Sequence, residues 1–126
     1  MSLRTPLGRV RGLGSAKDGV AHWWAQRITA VALIPLLLWL AASLSASAGM
    51  DHAAVKEWLS SPVSATLLIL LIAAGFHHAQ LGLQVVIEDY IQHEGLKTAS
   101  RLVTSLGTFA LGIASVFAVL KLSFGG

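Results

Sequence analysis

Three long apolar runs, roughly residues 28 to 48, 63 to 87 and 99 to 122, constrain this chain more than any other feature. Each matches or exceeds the ~20 residues a helix needs to cross ~30 Å of hydrocarbon at ~1.5 Å per residue. Of the 126 residues, 55% are hydrophobic and only 12% charged, so little remains from which a soluble domain could be built. The expected fold is an all-α membrane protein with three transmembrane helices. The chain divides into an N-terminal segment (1–27), a first span (28–48), a loop with a short interfacial helix (49–62), a second span (63–87), a second loop (88–98), a third span (99–122) and a C-terminal tail (123–126).

Ala46-Ser47-Ala48, following a basic stretch and an apolar run, resembles a signal-peptidase site. The apolar run is longer than a typical signal core, and the 27 residues before it are too many for an ordinary leader. The first span is therefore expected to be a retained helix. With no cysteine, this chain cannot form disulfides, ligate an iron-sulfur cluster or build a thiolate zinc site.

Basic residues set the expected orientation. Arg4, Arg9, Arg11, Lys17 and Arg27 precede the first span, Lys56 is alone in the first loop, and Lys97 lies in the second with Arg101 just beyond. Positive residues resist translocation, which places the N-terminus and second loop in the cytoplasm and the first loop and C-terminus in the periplasm. The net charge of +3 is a topology signal and an attraction to anionic headgroups, with no call for nucleic acid.

Local signals refine the boundaries. Asp51 can cap a short helix in which Val55, Trp58 and Leu59 share a face, lying flat at the outer interface. Ser60-Ser61-Pro62 supplies hydroxyls for an N-cap and a proline for the first turn of the second span. Gly95 is the expected terminator before the third helix, and Pro35 a site where the first can kink. Gly107, Ala110, Ala114 and Ala118 form a small-residue stripe that another helix can approach closely.

The second span carries the chemistry. His78 sits near its middle, where an ionisable side chain is costly and marks a functional site. At about 100° per residue, it shares a face with Gly75, Gly82 and Asp89, while His77 diverges towards Gln80 and Gln84. Glycines above and below a histidine clear room for a flat, bulky group, and imidazole is an ordinary axial ligand of haem iron within helix bundles. The residues alone also allow a plainer reading, a histidine hydrogen-bonded to a neighbouring helix. One histidine leaves the second axial position unfilled, so a bis-histidine haem would need its other ligand from another subunit.

About 18 Å further along the axis, Glu88-Asp89-Tyr90 ends the span at the inner interface. Tyrosine there is usually a belt residue and acids at a helix end are usually solvated. A phenol beside a carboxylate can also donate a hydrogen bond to a quinone carbonyl and pass protons from the aqueous side.

These motifs occur in a telling order. His22-Trp23-Trp24-Ala25-Gln26-Arg27-Ile28-Thr29-Ala30 opens the first span; His78-Ala79-Gln80-Leu81-Gly82 and then Val85-Val86-Ile87-Glu88-Asp89-Tyr90 follow in the second. From roughly Gly14 to Arg101 the chain resembles the smaller hydrophobic membrane-anchor subunit of succinate dehydrogenase, the D subunit of respiratory complex II, in the bacterial form most like that of mitochondria. The most specific element is a histidine followed by glycine four residues on and by Asp-Tyr eleven and twelve residues on. The serine and His-Arg pair that mark the C subunit are absent.

The resemblance implies a heteromeric helix bundle in the bacterial inner membrane. In it, His78 would be an axial ligand of haem b shared with the C-subunit anchor, with Gly82 beside it and Arg27 and His22 near the propionates. Tyr90 would hydrogen-bond ubiquinone, with Asp89 adjacent. A flavoprotein and an iron-sulfur subunit would complete the complex and oxidise succinate, so the chain would belong to an enzyme without being catalytic alone. Flavin and iron-sulfur clusters would reside in those partners. Two alternatives stay open, an anchor of quinol:fumarate reductase and a haem-free structural anchor; a third, a self-contained transmembrane cytochrome, fits three helices with one well-placed histidine poorly. Neither His77 nor His93 receives a role.

Overall fold

A computed structural model describes residues 5–10 and 17–125. Arg4, Arg11 and Gly126 lie outside the described residues. Five helices follow one another: α1 (Pro6–Val10), α2 (Lys17–Ala46), α3 (His52–Ser60), α4 (Pro62–Tyr90) and α5 (Glu94–Ser123). The described residues contain no strand. α2, α4 and α5 are each long and apolar enough to cross a membrane, as the three apolar runs require, and the chain is a multi-pass membrane protein.

α4 is the central element and packs against α2 on one side and α5 on the other. Against α2 the contacts run antiparallel, with Leu33 beside Gly75, Thr29 beside His78 and Gln26 beside Gly82. Against α5 they also run antiparallel, with Phe76 on Gly112, Gln80 donating to Ser105 Oγ at 3.1 Å and Arg101 3.7 Å from Glu88. Glycine at 112 lets α5 approach the Phe76 ring, its missing Cβ position lying 3.7 Å from the ring carbons. Only Leu36, Ser64, Leu81, Ile87 and Val119 are buried among the described residues. Exposed Ile28, Val31, Leu38, Val103, Leu106, Phe109 and Phe117 leave an apolar surface that suits lipid or other helices, not water.

Each helix starts before its apolar run, and α4 and α5 also end after theirs, whereas α2 stops at Ala46. α2 starts at Lys17, well before Ile28, because the polar and aromatic stretch His22 to Arg27 is helical too. The Trp23 and Trp24 rings meet edge to face at 5.0 Å, a pairing suited to the interfacial belt. The helix runs unbroken through Pro35.

Asp51 caps α3 as expected, its carboxylate accepting from the Ala54 N–H at 2.9 Å. Val55, Trp58 and Leu59 are half-buried, and Trp58 stacks on Trp39 of α2 with centroids 5.8 Å apart. Ser123 Oγ donates to the Leu59 carbonyl at 2.9 Å, tying the end of α5 to this short helix.

Two local expectations need correction. Ser61 occupies the N-cap of α4 with Pro62 in the first turn, but its hydroxyl makes no capping bond, while Ser60 Oγ donates back to the Lys56 carbonyl at 2.8 Å. Gly95 does not end α4. That helix stops at Tyr90, and Gly95 lies in the first turn of α5, which His93 caps by accepting from the Leu96 N–H at 3.2 Å. A Cβ at position 95 would stand 3.1 Å from His93 Cε1, so glycine keeps room for the capping ring. The stripe of Gly107, Ala110, Ala114 and Ala118 meets no helix of this chain and is open to one from elsewhere: the three alanines are exposed, and nothing lies within 4 Å of a Cβ built at Gly107.

Candidate functional site

His78 stands at the α2–α4 interface, half-buried, with its Nδ1 3.0 Å from Thr29 Oγ1. Helical periodicity does what the sequence expects of it. Gly75 and Gly82 share the His78 face, and both meet α2, where Cβ positions would lie 3.9 Å from Leu33 Cδ2 and Gln26 Nε2 respectively. Leu33 covers Gly75 and Gln26 covers Gly82 only in part, and beside Gly75 an apolar groove between α2 and α4 stays open, lined also by Leu33, Leu37, Leu71 and Ala79. The histidine thus has a partner on a neighbouring helix, as the plainer of the two readings requires, while its other ring nitrogen has no hydrogen bond among the described residues.

Thr29 is itself fixed by its own helix. Its Oγ1 lies 2.7 Å from the Ala25 carbonyl oxygen and 3.1 Å from that of Gln26. A β-branched threonine in a helix commonly takes this rotamer, and its single hydroxyl hydrogen goes to the backbone. With that hydrogen on the backbone, the oxygen lone pairs can accept from a His78 Nδ1–H, a pairing that requires the tautomer whose Nε2 is unprotonated.

One and two turns nearer the start of α2 lie Gln26 and His22. Gln26 Oε1 and His22 Nε2 are buried without a hydrogen-bond partner among the described residues. Such atoms are costly to leave unmet and normally have a protein, water or ligand partner. His22, Gln26, Thr29 and Leu33 recur at spacings of four, three and four, the stripe that faces α4. Thr29 and Gln26 carry no sequence signal of their own beyond this spacing, which is legible only once the helix extends back past His22.

Arg27 lies off that stripe. It is exposed, with its guanidinium carbon 5.8 Å from the centroid of the Trp23 ring, a cation–π contact at the same end of the bundle. Asp89 and Tyr90 end α4, and the tyrosine is 80% exposed. The antiparallel packing puts this end of α4 beside the start of α2, so His22, Arg27, Asp89 and Tyr90 belong to one membrane face while His78 lies deeper.

His77 points elsewhere, as expected. It is exposed and borders an apolar groove between α4 and α5, lined also by Phe76, Gln80, Thr108, Phe109 and Gly112. Closer to the α4–α5 connection, Gln80, Gln84, Arg101, Thr104 and Ser105 line a smaller polar cavity. No group of three histidine, cysteine or acidic side chains among the described residues could hold a bare metal ion.

A family model for the succinate dehydrogenase/fumarate reductase transmembrane subunit matches residues 1–119. The succinate dehydrogenase hydrophobic membrane anchor subunit of Rickettsia bellii is 34% identical over 92% of this chain and 93% of its own length. That of Rickettsia conorii is 30% identical over 92% and 93%. That of Paracoccus denitrificans is 28% identical over 96% and 93%. Three packed helices long and apolar enough to span a membrane and matches over nearly the full length agree: the chain belongs to the family of succinate dehydrogenase/fumarate reductase transmembrane subunits.

Proposed function

We propose that this chain anchors a succinate:ubiquinone oxidoreductase in the bacterial inner membrane, supplies one axial ligand to a haem b shared with a second anchor subunit, and forms part of the ubiquinone site. The observation that carries the haem reading is the Thr29–His78 contact, which leaves His78 Nε2 free for iron. The donor set fits the group. A mid-span imidazole is available on α4, and two buried polar atoms without partners, on Gln26 and His22, lie on the same interface towards the membrane surface, where propionates would need donors. An amide presents a donor as readily as an acceptor after a half-turn of its terminal torsion, so Gln26 can serve either. Arg27 stands at the same level and would add a positive charge. Gly82 serves by admitting the Gln26 side chain against α4.

Bound haem b would supply a one-electron carrier within the membrane. The chain's own part is to hold its ligand, shape half of its pocket and exclude water with the apolar side chains around His78. Tyr90, exposed at the end of α4, would donate its hydroxyl hydrogen to a quinone carbonyl once partner subunits cover it. Asp89 beside it would hold or pass a proton from the aqueous side. The basic N-terminal segment and the short α4–α5 connection would face the cytoplasm, putting Tyr90 where flavoprotein and iron-sulfur subunits can dock. The complex would be the enzyme, with this chain as its non-flavin anchor.

One observation favours a second reading, a haem-free anchor: His78 already has a hydrogen-bond partner within this chain. A third, a quinol:fumarate reductase anchor, draws on the family description, which embraces both enzymes. Purification of the assembled complex tests all three. Co-purification of a covalent flavoprotein and a b-type reduced-minus-oxidised spectrum are expected. A flavoprotein complex lacking that spectrum would favour the haem-free anchor, and menaquinone in place of ubiquinone in the extract would favour the fumarate reductase.

A further inference from the structure

We propose that Thr29 is the positioning residue for His78, fixing both the tautomer and the rotation of the imidazole so that Nε2 presents its lone pair to iron. The inference rests on the reading of His78 as a haem ligand.

One hydrogen decides the polarity of this contact. Thr29 Oγ1 has a single proton and lies 2.7 Å from the Ala25 carbonyl, with the Gln26 carbonyl 3.1 Å away. With that proton given to the backbone, the oxygen has only lone pairs to offer His78 Nδ1 at 3.0 Å, and the nitrogen must be the donor. The opposite tautomer would place an N–H on Nε2 and a lone pair facing a lone pair. The contact therefore selects the form of the ring that can ligate a metal through Nε2.

Geometry is restricted as well. Thr29 is held by its own backbone bond and by β-branching, so its oxygen is a fixed point on α2. Gly75 and Gly82 keep α2 close enough for that point to be reached, with Leu33 and Gln26 packed over them. A histidine on a mid-span helix has two free side-chain torsions, and this bond restrains both before any cofactor arrives.

A neutral oxygen is well suited to the site. A metal-bound histidine usually donates its second N–H to an acceptor, which raises ligand basicity. A carboxylate would do so more strongly but would place a charge at the middle of the membrane, at considerable cost. A hydroxyl strengthens the ligand without that charge, and a more basic ligand favours ferric over ferrous iron. Removing the hydroxyl should raise the haem midpoint potential.

The test uses the whole membrane complex carrying Thr29→Val, which keeps the shape and branching but lacks the hydroxyl, beside Thr29→Ser, which restores it. Haem content, the redox titration of the b-type band and the low-spin electron paramagnetic resonance signal are measured. In Thr29→Val the ferric preference should fall up to about tenfold, moving the midpoint upward by as much as ~59 mV, and the low-spin signal should shift as the ring loses its restraint. Thr29→Ser should lie close to wild type in both. If Thr29→Val fails to assemble, Thr29→Ala takes its place. Equal potentials in wild type, Thr29→Ser and an assembled hydroxyl-free variant would overturn the proposal. So would loss of assembly in both hydroxyl-free variants with Thr29→Ser intact, which would make the hydroxyl a packing element alone. Failure of the underlying reading has a different signature: no b-type band in the wild-type complex, or an unaltered band and potential in His78→Ala.

Discussion

His77 and His78 are adjacent in sequence but address different helices: His78 meets Thr29 of α2, and His77 borders the groove between α4 and α5. A substitution at one therefore leaves the surroundings of the other largely intact. In the assembled complex, His78→Ala is expected to lose the b-type band, or to retain it with a shifted potential if the partner's ligand suffices. His77→Ala should keep both band and potential. A reduced-minus-oxidised spectrum with a potentiometric titration checks this, and loss of the band in His77→Ala alone would reverse the assignment of faces.

The antiparallel packing of α2 and α4 brings Trp23, Trp24 and Tyr90 to one membrane surface, with Arg101 just past the α4–α5 connection. The distribution of basic residues predicts that surface to be cytoplasmic. Reporter fusions between Ile91 and His93 should report a cytoplasmic location, and fusions after Gly126 a periplasmic one. A cytoplasmic C-terminus would turn Tyr90 away from the soluble subunits.

What could be read from sequence follows from which physical signals are local. Three spans were legible because the apolar requirement of the bilayer acts on every residue of a run. The start of α2 was not, because polar and aromatic side chains are favoured at the interface and His22 to Arg27 continue a helix without continuing its apolarity. The face of His78 followed from helical periodicity. Its partner did not, because which helix stands opposite Gly75 and Gly82 is decided by long-range packing. Thr29 was visible only as one letter in a motif. Glycine's conformational freedom makes Gly95 read as a terminator, yet its local use is spatial: it clears the ring of the residue that caps the next helix.

That use of Gly95 is testable. Replacing it with alanine should shift the His93 ring by a few tenths of an ångström and strain its bond to the Leu96 N–H, because the added carbon would stand 3.1 Å from the ring. Both Gly95→Ala and His93→Ala should then weaken the start of α5, by roughly 0.5–2 kcal/mol for loss of the cap. Alanine's better helix propensity would return part of this in Gly95→Ala. His93→Asp, with a short acceptor side chain, should restore stability. Detergent-induced unfolding of the purified complex measures it; no loss in His93→Ala would mean that the Leu96 N–H finds an equivalent partner.

Tyr90 separates a subunit that takes part in quinone chemistry from one that only anchors. Tyr90→Phe removes one hydroxyl and preserves the ring that packs at the interface, so assembly and haem content should survive. Because Tyr90 is 80% exposed in this chain, the loss should not disturb its own packing. What should fall is electron delivery to quinone. A lost hydrogen bond to bound substrate costs ~0.5–1.5 kcal/mol, more if a buried partner is left unmet, which corresponds to roughly a two- to tenfold reduction in kcat/KM for quinone. Succinate oxidation with an artificial acceptor that draws electrons from the soluble subunits should stay near wild type, since that path never reaches α4. The two assays on one preparation make the comparison. Unchanged quinone reduction in a fully assembled Tyr90→Phe complex would leave Tyr90 an interfacial belt residue and move the quinone site to other side chains.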